Sequence, residues 1–90
     1  MRGKSIMQDK KECYVTGSRV QLDCHHVYHG IRRKAADLHG CWVFLRHDIH
    51  MALHAGDTEL DNRLKRECQQ RFMELHGYDE FMRIFGKNYL

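Results

Sequence analysis

Apolar and polar residues alternate along Val20–His25: Val20, Leu22 and Cys24 interleave with Gln21, Asp23 and His25. A period of two is the mark of a half-buried strand. It puts Val20, Leu22, Cys24 and His26 on one face and turns His25 to the other. Tyr14 and Val15 precede the turn-forming "TGSR", so "CYVTGSRVQLDCHH" is expected to form a β-hairpin. The pattern then changes to a helical one. "IRRKAADLHG" is helix-compatible, with Ile31, Ala35 and Leu38 on one side and Gly40 placed as a stop. "CWVFL", Cys41 to Leu45, is too short for an independent helix and rich in strand formers, which predicts a buried strand.

The second half of the chain is helical by the same test. "RHDIHMALHAG" predicts a short helix ended by Gly56. "TELDNRLKRECQQRFMELHG" opens on Thr58-x-x-Asp61, a capping-box pattern, and closes at Gly77. Leu60, Leu64, Cys68, Phe72 and Leu75 form a stripe at helical spacing with charges opposite. "DEFMRIFG" repeats the idea in miniature, anchored by Phe81, Met82 and Phe85. Residues 1–11 are polar and expected to be loose. The fold class that follows is α+β: one small domain over residues 12–90, with the C-terminal helices as scaffold.

Ninety residues, 42% hydrophobic and 30% charged, suit a single domain with a modest core. There is no run of membrane-spanning length, and "MRGKSIMQDKKE" has no apolar signal region, so the cytoplasm is the expected compartment. Cys13, Cys24, Cys41 and Cys68 form no C-x-x-C pair, which removes a ribbon-type zinc site; Cys24, Cys41 and Cys68 read as small buried residues. The net charge of +3 is mild and permits an anionic partner without demanding one. Its basic residues cluster, at Arg32, Arg33 and Lys34 and again at Arg63, Lys65, Arg66 and Arg71.

Eight histidines change the picture: 25, 26, 29, 39, 47, 50, 54 and 76. On a helix His50 and His54 share one face, their Cβ atoms roughly 5–6 Å apart. With His25 from the strand they make a candidate three-ligand metal site with an open position. His26, next to the metal but not bound to it, is then a candidate general base, since imidazole titrates near neutrality. Arg32, Arg33 and Lys34 are placed to hold flanking phosphates. Asp23 is a candidate hydrogen-bond partner for one of the imidazoles. His29 and His47 read as bystanders, though His47 could replace a misassigned ligand. His39 and His76, each just before a glycine, suit helix C-termini.

A strand-end "HH", a connecting segment and strand, then "H-x-x-x-H" on a helix resembles the HNH, ββα-metal or His-Me finger, endonuclease motif. The wider run "LDCHHVYHGIRRKAADLHG", "WVFL", "HDIH" and the tail "FGKNYL" is similar to small phage and prophage HNH-type recombination-associated nucleases. The resemblance covers residues 13–90. It implies a ββα-metal unit braced by C-terminal helices, with His26 as general base and His25, His50 and His54 as ligands of a divalent ion (Mg²⁺, Mn²⁺, Ni²⁺ or Zn²⁺). It implies DNA as the substrate, hydrolysed at its phosphodiester bonds in a bacterial host cell. Phage or host recombination proteins and a second copy of the chain are candidate partners. Two departures stand out. Where many relatives hold a structural zinc with two C-x-x-C pairs, this chain has Cys13 with Thr16, Arg46 and Ile49. The family's middle asparagine, which orients the base, has no counterpart near Cys41 and Trp42. These departures keep open a nucleic-acid-binding module of the same fold that does no chemistry; a second alternative is a histidine-rich protein–protein adaptor whose exposed surface binds a host or phage partner.

Overall fold

In the computed structural model, which describes residues 2–90, the fold is a small α+β domain of one two-stranded antiparallel sheet and four α-helices. Strand β1 (Leu22–His26) pairs with β2 (Trp42–Arg46), Leu22 opposite Arg46 and His26 opposite Trp42. The hairpin expected between Cys13 and His26 is therefore replaced by a pairing across a longer connection. The reason lies in the two candidate partners for β1. The buried run Trp42–Leu45 offers it a nearly continuous apolar strand, whereas the stretch before it is polar and broken by Gly17. Residues 13–18 close a tight turn instead, with Gly17 N donating to Cys13 O at 2.8 Å and Cys13 N to Ser18 O at 2.7 Å. Val20, assigned to the strand face by alternation, is exposed.

The chain before β1 covers the far edge of β2. Phe44 turns both backbone groups away from β1: its N–H donates to Gln8 Oε1 at 2.7 Å and its carbonyl accepts from Tyr14 N–H at 2.8 Å. Ser5 Oγ donates to Trp42 O at 2.7 Å, Ile6 N to Gly40 O at 3.0 Å, and Trp42 Nε1 to Gly3 O at 2.8 Å. An open strand edge is a hazard for misassociation, and this segment satisfies it. Residues 3–8, expected to be loose, are tied to the sheet by these bonds.

Between the strands, a 3₁₀ turn at Gly30–Arg32 runs into α1 (Arg33–Leu38). The change from three to 3.6 residues per turn breaks the single helical face drawn through Ile31, Ala35 and Leu38. Ile31 is 93% exposed and Leu38 is exposed; Ala36 is the buried residue of α1. Helix α2 (His47–His54) follows β2 without a loop, so the orientation of its first turn is set by the strand.

The scaffold helices are α3 (Thr58–His76) and α4 (Tyr78–Phe85). The N-cap of α3 is Asp57, one residue earlier than the capping-box reading: its carboxylate accepts from Leu60 N at 3.0 Å. Gly77, at φ 88, ends α3 and starts α4, a corner that a residue with a Cβ would strain. Leu64, Cys68 and Phe72 are buried as the stripe predicts, but Leu75 is exposed and Gln69 is fully buried. The Gln69 amide holds the C-terminal tail: Nε2 donates to Asn88 Oδ1 at 2.8 Å, and Oε1 accepts from Tyr89 N at 2.6 Å. Tyr28, just past β1, stacks against Phe85 and Tyr89 with ring centroids 4.8 Å away in each case. Its hydroxyl donates to Lys65 O at 2.8 Å, fixing the end of β1 to the scaffold. No helix among the described residues is long and apolar enough to cross a membrane.

Gly40 tests the seating of the N-terminal segment. At φ 75, its Cβ would stand 2.0 Å from the Lys4 carbonyl oxygen. Gly40→Ala is expected to cost about 2 kcal/mol of unfolding free energy, seen as a lower urea midpoint at unchanged slope. An unchanged midpoint would mean that residues 3–8 do not lie against this turn.

Candidate metal centre

His25 ends in the interior. It is 2% exposed, and its Nε2 is the only buried side-chain polar atom among the described residues with no hydrogen-bond partner. An unsatisfied buried polar atom costs roughly 1–3 kcal/mol, so a fold that keeps one has a use for it. Around it stand the two imidazoles of α2. One ring nitrogen from each of His25, His50 and His54 lies within 4.8 Å of the other two. Ring centroids are 5.2 Å apart for His25–His50, 5.8 Å for His25–His54 and 4.6 Å for His50–His54. The His50 and His54 Nε2 atoms are 3.0 Å apart. Two nitrogens bound to one tetrahedral ion at the usual bond lengths lie roughly 3.3 Å apart, so this pair is nearly at ligand spacing.

Asp23 fixes the chemistry of His50. Its Oδ2 lies 3.0 Å from His50 Nδ1 and 2.7 Å from His47 Nδ1. Hydrogen bonds from His50 and then His47 hold the Asp23 carboxyl below the usual carboxylate range. An ionised carboxylate only accepts, so His50 Nδ1 carries the proton. That leaves Nε2 as the opposite edge of the ring, where it meets His54 Nε2. This is the carboxylate–histidine arrangement that orients metal ligands. His25 needs no such partner to stay neutral: burial, reinforced by His29, His50 and His54, pulls it down to about 3. His54 Nε2 lies at hydrogen-bond distance from His50 Nε2, 3.0 Å, a contact that an ion would replace, and three imidazoles are a donor set that fits a divalent transition ion.

His26 faces a different carboxylate. Its Nε2 lies 2.8 Å from Asp37 Oδ1 on α1. The Asp37 carboxyl is held below its ordinary range by His26 first, against a smaller burial effect, and also by Arg2. By the same reasoning Nε2 carries a proton and Nδ1 is the basic atom. His25, His26, His29, His50 and His54 border one cleft of about 300 Å³ together with Cys24 and Arg33. A second cleft, bordered by Arg2, His26, Gly30, Arg33, Lys34 and Asp37, adjoins it through His26 and Arg33.

The structure therefore brings His25, His26, His50, His54, Arg33 and Lys34 to one surface. It does not bring Arg32 there: Arg32 Nε donates to Phe85 O at 2.8 Å and the residue borders neither cleft. That guanidinium helps to anchor α4. His47, read as a bystander, shares Asp23 with His50. His39 caps α1 and His76 ends α3, where it packs 4.8 Å from the Phe72 ring. Cys13 and Thr16 do meet Arg46 in space. Burial raises the Cys13 thiol, but hydrogen bonds from the Thr16 side chain and from backbone groups of Arg46, Thr16 and Val15 outweigh it and leave the thiol below its ordinary range. Sequence reasoning missed Asp37. The signal available was its spacing of eleven residues from His26, which means nothing until the 3₁₀ turn folds α1 back over the end of β1.

The depressed His25 value makes a pH prediction. A histidine lowered on folding contributes stability that is fully present above its unfolded value near 6.5 and is lost as pH falls toward about 3. Metal-free protein should lose unfolding free energy across that window, His25 contributing up to about 1.4 kcal/mol per pH unit. The slope should flatten in His25→Leu, as urea titrations at several pH values would show. An identical slope in both proteins would place the imidazole in water. Against known proteins, no family model matches this chain, and neither the curated proteins nor the solved structures give a significant match.

Proposed function

We propose that this protein is a metal-dependent DNA endonuclease of the ββα-metal kind, similar to small phage and prophage nucleases. In this reading His25, His50 and His54 hold a divalent cation, and His26 removes a proton from the attacking water. The observation that carries it is the buried, unpartnered Nε2 of His25 facing two imidazoles from a helix, with a fourth, carboxylate-held imidazole beside it. A hydrolytic site needs one set of lone pairs kept for a cation and one for a proton.

The residues divide the work. Asp23 holds His50 with its Nε2 lone pair toward the centre. Asp37 accepts from the Nε2–H of His26, leaves Nδ1 to take the proton, and stabilises the imidazolium that forms. It supplies the positioning that the resemblance assigns to the family's middle asparagine. Arg33 and Lys34, with Arg2, line the adjoining cleft and neutralise phosphates on either side of the scissile one. A bound divalent cation supplies Lewis-acid stabilisation of charge on the phosphoryl and leaving oxygens. Water oxygen attacks phosphorus as its proton passes to His26, and the bond to the leaving sugar oxygen breaks, that oxygen taking a proton from solvent.

The test is cleavage of supercoiled plasmid with Mg²⁺, Mn²⁺ or Ni²⁺. His26→Ala should reduce cutting by at least about 100-fold. Asp37→Asn should reduce it about tenfold. Equal cutting by wild type and His26→Ala would end the assignment. Salt-sensitive DNA binding with no cutting under any metal would favour the non-catalytic binding module.

A further inference from the structure

Two residues outside the proposed centre also face His25. His29 lies three positions after His26, and Asp61 in the first turn of α3. One donor atom from each lies within 4.8 Å of the other and of a ring nitrogen of His25. Lys65 Nζ takes Asp61 Oδ2 at 2.7 Å, while Oδ1 faces His29 Nε2 across 3.7 Å. That gap is too long for a hydrogen bond, yet short enough for one ion at about 2.1 Å from each atom to bridge it. The His25–His29 centroid distance, 5.2 Å, equals the His25–His50 distance. His25, 2% exposed and with its Nε2 unpartnered, thus has candidate co-ligands on two flanks.

We propose that His25, His29 and Asp61 form a second seat for a divalent cation, sharing His25 with the His25–His50–His54 seat. This rests on the latter being a metal centre. One lone pair serves one ion, so the seats are alternatives and the protein holds a single ion at a time. They differ in donor chemistry. Three imidazoles suit Ni²⁺ or Zn²⁺, whereas two imidazoles with a carboxylate oxygen form a harder set that suits Mn²⁺ better. The class of ion decides which seat fills. His29 borders the same cleft as His26 and the α2 histidines, so an ion in either seat is presented to the same substrate surface.

The experiment is calorimetric titration of the full chain with Ni²⁺ and with Mn²⁺, supported by Mn²⁺ paramagnetic resonance and with circular dichroism to check folding. Asp61→Asn and His29→Ala should each weaken Mn²⁺ by at least about tenfold and leave Ni²⁺ within about threefold. His50→Ala should do the reverse. Ni²⁺ should displace Mn²⁺ at one ion per chain. The proposal is overturned if neither Asp61→Asn nor His29→Ala alters Mn²⁺ affinity, or if both ions bind together. Should Ni²⁺ bind in a His50-dependent way while Mn²⁺ ignores Asp61, the second seat alone falls. If wild type retains neither ion, the three-histidine centre falls with it.

Discussion

The imidazole of His25, buried with its Nε2 unpartnered, is the constraint around which the rest is arranged. Leaving that atom without a hydrogen bond is unfavourable in a chain of 90 residues whose core is small. The fold holds it there by two means. Pairing of β1 with β2 fixes the backbone of His25 opposite Val43. The direct passage from β2 into α2 then swings His50 and His54, one turn apart, over the strand end. Neither element could shift by a residue without turning its imidazole elsewhere, since a one-residue slip in a strand reverses the side chain's face.

Around that centre, carboxylates decide which nitrogen of His50 and of His26 carries a proton. Asp23 serves His50 and His47 from within β1, and Asp37 serves His26 from α1. Each lies below the usual carboxylate range because of the imidazole it accepts from, so each remains an acceptor at neutral pH. The result is an asymmetric cluster. Its α2 side gathers ring nitrogens in a group that could hold a cation, and its α1 side sets the His26 imidazole in a cleft with Arg33 and Lys34. The scaffold contributes by holding the ends still: Tyr28 ties the end of β1 to α3 through Lys65, and Gln69 ties the tail to the same helix. The proposed endonuclease activity and the proposed second cation seat both depend on this asymmetry.

The strongly periodic parts of the fold were legible in the sequence. The long stripe through Leu64, Cys68 and Phe72, the short apolar run of β2 and the i, i+4 spacing of His50 and His54 each specify a local structure directly. The grouping of His25, His50 and His54 followed from them. What pattern could not supply was long-range choice. Whether β1 pairs with the chain before it or with Trp42–Arg46 depends on the buried area each partner offers. The faces of Ile31 and Leu38 depended on a 3₁₀ turn that local propensity does not announce. Arg32 was legible as a cation but not as the partner of the Phe85 carbonyl, 53 residues away. Asp37, His29 and Asp61 were missed for the same reason: their value lies in what the tertiary structure sets beside them.

X-ray absorption at the zinc edge of the zinc-loaded protein examines the central claim most directly, because it counts and identifies the donors. Imidazoles from β1 and α2 sharing one ion predict three nitrogen neighbours at roughly 2.0–2.1 Å with the outer-ring scattering of histidine, falling to two in His25→Leu. A sulfur shell, or a histidine count unaffected by His25→Leu, would contradict it.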